Sequence, residues 1–401
     1  MSEKARSQRE LCCSHRRAEI KIETSGKEEI PVLHPMLPKV KDLLPYLLRI
    51  EEARIYSNFG TLSVELERRL AAKLDVAVES VICTNSGTSA IIAAILATTG
   101  PASQKRLAAC PAFTFVATAV AAERCGYKPL FVDVEPETWQ LSPQALEKHP
   151  RLNEIGLVIP VAPFGRPVRL EPWLEFQSRT GVQVVIDCAA SFACISESLE
   201  RWFGEIPVAM SFHATKSFAT GEGGAVVWKH PEAKKRLTQA INFGFFGTRE
   251  SFASSINGKM SEYHAAVGLA ELDGWHNKFT SLKLRGEWYR SLLKRPQNGY
   301  FIGYPDVDLN YPLYCCKTLE NRLLIQEAFT KEGVGFRFWY GDGLHRHGFY
   351  RDAPCGDVSC SEDLATRLIG LPMAPDLTFA NIARICNILL DASGEEIERV
   401  E

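Results

Sequence analysis

Several large protein classes are closed to this sequence by what it lacks. It has no surplus charge: 46 Lys and Arg stand against 48 Asp and Glu, a formal net charge of −2. That balance argues against a general nucleic-acid binder and against an electrostatic membrane anchor. It leaves room for a local basic pocket that takes a phosphorylated substrate. The charged N-terminal stretch has no apolar core, so no secretory signal is expected there. The longest helical apolar stretch, Ala90 to Thr98, is too short to cross a bilayer. The 12 cysteines include no pair of CxxC knuckles, so no metal site is expected. Cys83, Cys110 and Cys188 sit among apolar residues and read as small buried hydrophobes. Free thiols in a chain of this size fit a reducing compartment, and a soluble, cytoplasmic protein is expected. No internal repeat or low-complexity stretch is evident.

What is present is a long alternation of strands and helices. With 401 residues, 46% of them hydrophobic, the chain can bury a large core, and two domains are expected. Residues 1–28 read as a flexible polar tail, 29–280 as a large domain and 281–401 as a smaller one. Leu62 to Leu74 places apolar residues at 62, 66, 70 and 74, a helical period. Strands are expected near Ser80 to Cys83, Arg106 to Cys110, Pro129 to Val134, Leu157 to Val161, Val182 to Ile186 and Ala225 to Trp228. Helices are expected over Ser89 to Thr98, Thr114 to Cys125 and Ser261 to Trp275. Apolar strands spaced by helices imply an α/β fold with a mostly parallel sheet flanked by helices. Tyr311 to Cys316, a helix near Asn321 to Lys331, and Gly335 to Trp339 suggest a smaller C-terminal α+β domain.

Four features carry chemistry, and their order matters more than any one alone. Ser86-Gly87-Thr88-Ser89 lies at a strand-to-helix turn. Glycine lets backbone approach an anion, and a helix start offers unpaired amides and a positive dipole end. An ordinary N-cap at Ser86 or Thr88 explains the same residues. Asp187 ends the apolar run Val184-Val185-Ile186, where open α/β sheets bind ligands; capping the next element is the plain alternative. Lys216 closes Ser211-Phe212-His213-Ala214-Thr215-Lys216, ahead of Gly221-Glu222-Gly223-Gly224. Set between an apolar segment and a glycine-rich turn, its amine is expected in a cleft as nucleophile and base. Finally, Asn257 stands in a polar loop before a helix whose N-cap is Ser261.

This ordered series resembles the DegT/DnrJ/EryC1/StrS aminotransferases, pyridoxal-phosphate (PLP) enzymes of fold type I. The likeness runs from about Ile30 to Leu377. It includes Ser57-Asn58-Phe59-Gly60, Thr114-Phe115-Val116-Ala117-Thr118, Phe131-Val132-Asp133-Val134, Pro163-Phe164-Gly165, Asn257-Gly258-Lys259-Met260 and Leu371-Pro372-Met373. It implies that Lys216 forms the Schiff base with PLP and that Asp187 bonds the pyridine nitrogen, making the ring an electron sink. It implies further that Gly87, Thr88 and Ser211 hold the phosphate and that Phe115 stacks on the ring; a core phenylalanine is the plain alternative. Asn257 would reach the phosphate from the neighbouring subunit, so a homodimer with shared active sites is implied.

The resemblance implies two half-reactions. An amino acid, L-glutamate by analogy, gives its amino group to the cofactor, with Lys216 moving the proton as base and acid. A keto-sugar, nucleotide-linked in most of the family, then receives it. Two departures stand out. Ala190 occupies the position of the polar residue that normally bonds the cofactor's 3′ oxygen, with Ser191 one residue late, and Lys259 stands where arginine is common. Sugar-dehydratase relatives replace the lysine with histidine, so Lys216 counts against that alternative. Lys216 and Asp187 together count against a non-catalytic, regulatory member. Arg337, Arg166, Arg249, His345 and His347 are candidates for the substrate side, each with a structural role as the plainer reading.

Overall fold

The computed structural model describes residues 29–198, 202–294 and 296–394. The polar tail expected over 1–28 lies outside the described residues. The chain opens with α1 (Val40–Ala53) and α2 (Thr61–Lys73). The α/β alternation follows: β1 (Val81–Thr84), α3 (Gly87–Thr98), β2 (Leu107–Pro111), α4 (Ala117–Arg124), β3 (Lys128–Val132), α5 (Pro143–Glu147), β4 (Ile155–Val158), α6 (Glu171–Thr180), β5 (Gln183–Val184), β6 (Ile186–Asp187), α7 (Phe192–Ser196), β7 (Val208–Ser211), β8 (Gly224–Val227) and α8 (Ala233–Ile241).

Strand order is β1-β8-β7-β6 on one side and β5-β4-β2-β3 on the other. Asp187 N–H donates to Pro160 O at 2.9 Å and Ala162 N–H to Asp187 O at 2.8 Å, so the two halves form one continuous sheet. Every pairing in it is parallel except the two made by β8. The exception has a local cause. Parallel neighbours need a long crossover, whereas an antiparallel neighbour needs only a loop. Residues 212–223 make that loop, zipped by Phe212 N–H to Gly223 O (2.8 Å) and Ala214 N–H to Gly221 O (2.8 Å). It reverses at Gly221, whose φ of +86° suits glycine. Lys216 is carried on this loop.

Apolar surface holds the helices to the sheet. In α3 Ala90, Ile91, Ile92, Ala93, Ala94, Ile95 and Ala97 are all buried. The helix is wedged between β7 and β8 on one side and α4 and α8 on the other. Each buried isoleucine contributes about 1.5–3 kcal/mol, so the helix that presents the anion turn is firmly seated.

Next comes α9 (Glu262–Leu292), far longer than the Ser261 to Trp275 helix expected. Ser261 caps it by accepting from His264 N–H at 3.2 Å. Glu262 caps a second helix, accepting from Leu62 N–H (2.7 Å) and Ser63 N–H (3.0 Å) at the start of α2. The helix runs unbroken across positions 280 and 281 into a smaller unit of β9 (Gly299–Ile302), β10 (Leu313–Cys316), α10 (Leu319–Lys331), α11 (Ser359–Arg367), β11 (Leu368–Gly370) and α12 (Phe379–Ser393). Its antiparallel sheet has the order β11-β10-β9. Gly335 to Trp339, expected to be extended, contributes only a bridge between Arg337 and Gly370. Ile30 bridges to Val334 and Leu33 to Met373, so the first described residues pack on the C-terminal unit.

Candidate active site

Four strand ends meet at one edge of the main sheet. Gly224, at the start of β8, pairs with Thr84 at the end of β1 and with Ser211 at the end of β7. Asp187 ends β6 beside β7. In open α/β sheets this carboxyl edge is where ligands bind.

The anion turn follows β1. Ser86 is the N-cap of α3, its Oγ accepting from Ser89 N–H at 3.1 Å. The plain capping reading therefore holds for Ser86. It leaves the N–H groups of Gly87 and Thr88, in the first turn, without an intrahelical acceptor. Gly87 lies against the end of β7: a Cβ placed there would meet Ser211 Cβ at 2.5 Å and Oγ at 2.8 Å. Only glycine lets the helix start and the serine hydroxyl approach so closely. Two amides without intrahelical acceptors, a hydroxyl and a helix dipole thus lie side by side.

Asp187 is buried, 4% exposed. Its Oδ2 accepts from Thr118 Oγ1 at 2.8 Å and its Oδ1 from Ala189 N–H at 3.0 Å. Ser191, not Asp187, precedes α7, which removes the capping alternative. Burial pushes the Asp187 carboxyl above its ordinary range, opposed by Thr118, Ala189 N–H and the Lys216 charge. A desolvated carboxylate of this kind is completed by a cation such as a protonated ring nitrogen.

Lys216 is half-buried, and its Nζ donates to Tyr311 Oη at 2.9 Å. It borders a narrow pocket whose walls include His34, Met36, Thr215 and Asn310. Phe115 is 63% exposed at the start of α4, one turn before Thr118, so the core-phenylalanine alternative fails. Asn257 is exposed; its Oδ1 accepts from Lys259 Nζ at 2.7 Å and its backbone O from Asn85 Nδ2 at 3.2 Å. It lies beside the anion turn of its own chain through Asn85, with its side chain turned to Lys259 rather than to Lys216.

The substrate-side candidates scatter. Arg166 stacks over Trp139 at 5.1 Å and donates to the carbonyls of Glu137, Thr138 and Asp306, a structural clamp. Arg337 lies over Trp339 at 5.0 Å. His345 pairs with Glu362 at 3.0 Å, and His347 is exposed. Arg249 lines a cavity of about 480 Å³ with Phe59 and Phe246, which shares no wall with the Lys216 pocket. Ser191 is fully buried immediately before α7.

Sequence reasoning gave no role to Thr118, Asp308, Asn310 or Tyr311. Thr118 closes the Thr114-to-Thr118 motif and is marked in the sequence only as a hydroxyl one turn after Phe115. The other three arrive from a segment remote in sequence with no motif of its own. Among the described residues no group of three or more His, Cys, Asp or Glu is placed to hold a metal. An amine, a buried carboxylate, an anion turn and an exposed aromatic face together fit PLP: aldehyde, ring nitrogen, phosphate and ring.

The DegT/DnrJ/EryC1/StrS aminotransferase family model matches residues 39–390. Protein Rv3402c of Mycobacterium tuberculosis is 29% identical over 384 residues, covering 93% of each chain. The dTDP-4-amino-4,6-dideoxy-D-glucose transaminase of Shigella dysenteriae is 29% identical over 367 residues, covering 88% of this chain and 96% of its own. The structure of DesI in the presence of its TDP-sugar product superimposes with a TM-score of 0.82 at 26% identity, covering 92% of this chain and 94% of that one. With this match along nearly its whole length and the fold type I architecture, the chain belongs to the DegT/DnrJ/EryC1/StrS aminotransferase family.

Proposed function

We propose that this PLP-dependent aminotransferase carries its cofactor on Lys216 and transfers an amino group from L-glutamate to a nucleotide-linked keto-sugar. The observation that carries the reading is the convergence of Gly87, Ser211, Asp187 and Lys216 on one sheet edge, through the pairings of Gly224 with Thr84 and Ser211. When bound, PLP supplies an electron sink for the pair released at the amino donor's α-carbon.

The chain's own residues do the rest. The Gly87 and Thr88 amides and the Ser211 hydroxyl hold the phosphate. Asp187, oriented by Thr118, would hold the ring nitrogen and favour its protonated form. Phe115 offers an exposed ring face for stacking. The Lys216 amine, once free, moves a proton at the donor's α-carbon. The large and small domains, joined through the continuous helix α9, flank the cleft.

We also propose a cytoplasmic homodimer in which Asn257 contributes to the neighbouring site. The exposed Asn257 side chain, and the exposed Phe243, Phe246 and Phe252 on the segment leading to it, support this. Buried free cysteines support a reducing compartment, and no described helix is long and apolar enough to cross a membrane.

The test is the visible spectrum of the PLP-loaded protein before and after L-glutamate. Conversion of the lysine-bound cofactor band to the pyridoxamine form, absent in Lys216→Ala, is expected. A band that L-glutamate and other amino acids leave unchanged would refute the aminotransferase reading.

A further inference from the structure

The amine of Lys216 is held by a residue 95 positions further along the chain, Tyr311, at 2.9 Å. The surroundings of Tyr311 fix its ring and backbone. Asp308 anchors the segment: its N–H donates to Phe164 O at 2.8 Å, its O accepts from Tyr311 N–H at 3.0 Å, and its carboxylate accepts from Ala193 N–H at 2.9 Å. Asn310 Nδ2 donates to Thr215 O at 3.0 Å, gripping the backbone next to the lysine. The Tyr311 ring is wedged edge-on against Trp339 at 5.2 Å and tilted against Phe164 at 6.1 Å. Tyr311 is only 5% exposed.

Lys216 donates to Tyr311, so the tyrosine uses a lone pair and keeps its own proton to give. No acceptor for that proton is found among the described residues. A buried hydroxyl with an unspent donor beside a reactive amine is available to whatever bonds to that amine. Ala190, which lacks the polar side chain expected at the cofactor's 3′ oxygen, packs on the same cluster as Phe164 and Tyr311.

Resting on the assignment of PLP to Lys216, we propose that Tyr311 is a positioning residue of this site. Its hydroxyl holds the Lys216 amine and supplies, from the far domain, the polar contact that Ala190 cannot make. A donor to the 3′ oxygen favours the anionic form of that oxygen. It therefore lowers the pH at which the lysine-cofactor linkage gains its proton.

The test is a pH titration of the cofactor's visible band in wild type and Tyr311→Phe. Phenylalanine keeps the ring packing and removes only the hydroxyl. A charge-assisted hydrogen bond is worth about 1.5–3 kcal/mol, so the midpoint should rise by about one pH unit or more. The double variant Y311F/A190Q should return it towards the wild-type value. An unchanged midpoint in Tyr311→Phe would overturn the proposal. If Tyr311→Phe does not fold, Ala190→Gln alone decides: a second donor at the same oxygen should lower the midpoint, and no change would refute the shared position. Absence of any band in the wild type would instead refute the Lys216 assignment on which this rests.

Discussion

The two ends of the cleft are built in opposite ways. The phosphate end is built within the main sheet and mainly of backbone: Ser86 to Thr88 follow β1 and Ser211 ends β7, the two strands that flank β8, and Gly87 lies against Ser211. The lysine end is completed by side chains from outside that sheet: Tyr311, Asn310 and Asp308 come from the segment leading into β10. Holding an anion needs amides and a dipole, which a helix start supplies without help. Setting the direction of a single amine needs a rigid partner outside its own loop.

That contrast is sharpest if the two ends fail differently. Asp187→Asn lies between them and should have the largest effect among variants that leave Lys216 intact. Losing the charge that matches a ring proton should slow the donor half-reaction on the order of 100-fold or more, by the scale seen for single electrostatic groups. Single-turnover absorbance with L-glutamate measures it, and a loss under threefold would break the assignment. Gly87→Ala should act at the phosphate end. Its Cβ meets Ser211 at 2.5 Å, and overpacking of this kind costs about 1–3 kcal/mol. PLP affinity should fall on the order of tenfold, with the band's pH midpoint unmoved; a moved midpoint would mean that the ends are not separable.

The remaining effect is on stability. Burial raises the Asp308 carboxyl from its usual 3.8 to about 6, against the pull of Ser217, the Ala193 and Asn310 amides and the Lys216 charge. The folded state then holds this proton more tightly than the unfolded chain. Its stabilisation is full below about pH 4 and is lost as pH rises through about 6. Relative to Asp308→Asn, the cofactor-free wild type should lose on the order of 3 kcal/mol across that window and stay level above it. Denaturant midpoints measured from pH 4 to 8 check this. Parallel curves for the two proteins would contradict it.

The same division explains what could be read from the sequence. Asp187 and Lys216 were legible because each sits at the edge of an apolar strand or a glycine-rich turn, a local pattern. The Lys216 loop also accounts for the antiparallel β8, because it folds back on itself through the Phe212–Gly223 and Ala214–Gly221 backbone bonds instead of crossing over the sheet. Tyr311 was not legible, since nothing local distinguishes its hydroxyl from that of Tyr314. The length of α9 was missed for a different reason. Past Trp275 the helix buries only Leu282 and Tyr289, each seven residues after the last. That sparse stripe is a real signal, but weaker than the dense apolar face expected of a core helix. Ala190 reads as a loss in the sequence, and the counterpart proposed for it, Tyr311, comes from a distant segment.

The most direct test of the central assignment is chemical trapping. The purified protein is loaded with PLP, reduced with borohydride and digested, and the pyridoxyl-bearing peptide is sequenced by mass spectrometry. The account predicts one modified lysine, Lys216, and no adduct in Lys216→Ala. An adduct on a different lysine in the wild type, or none at all, would contradict it.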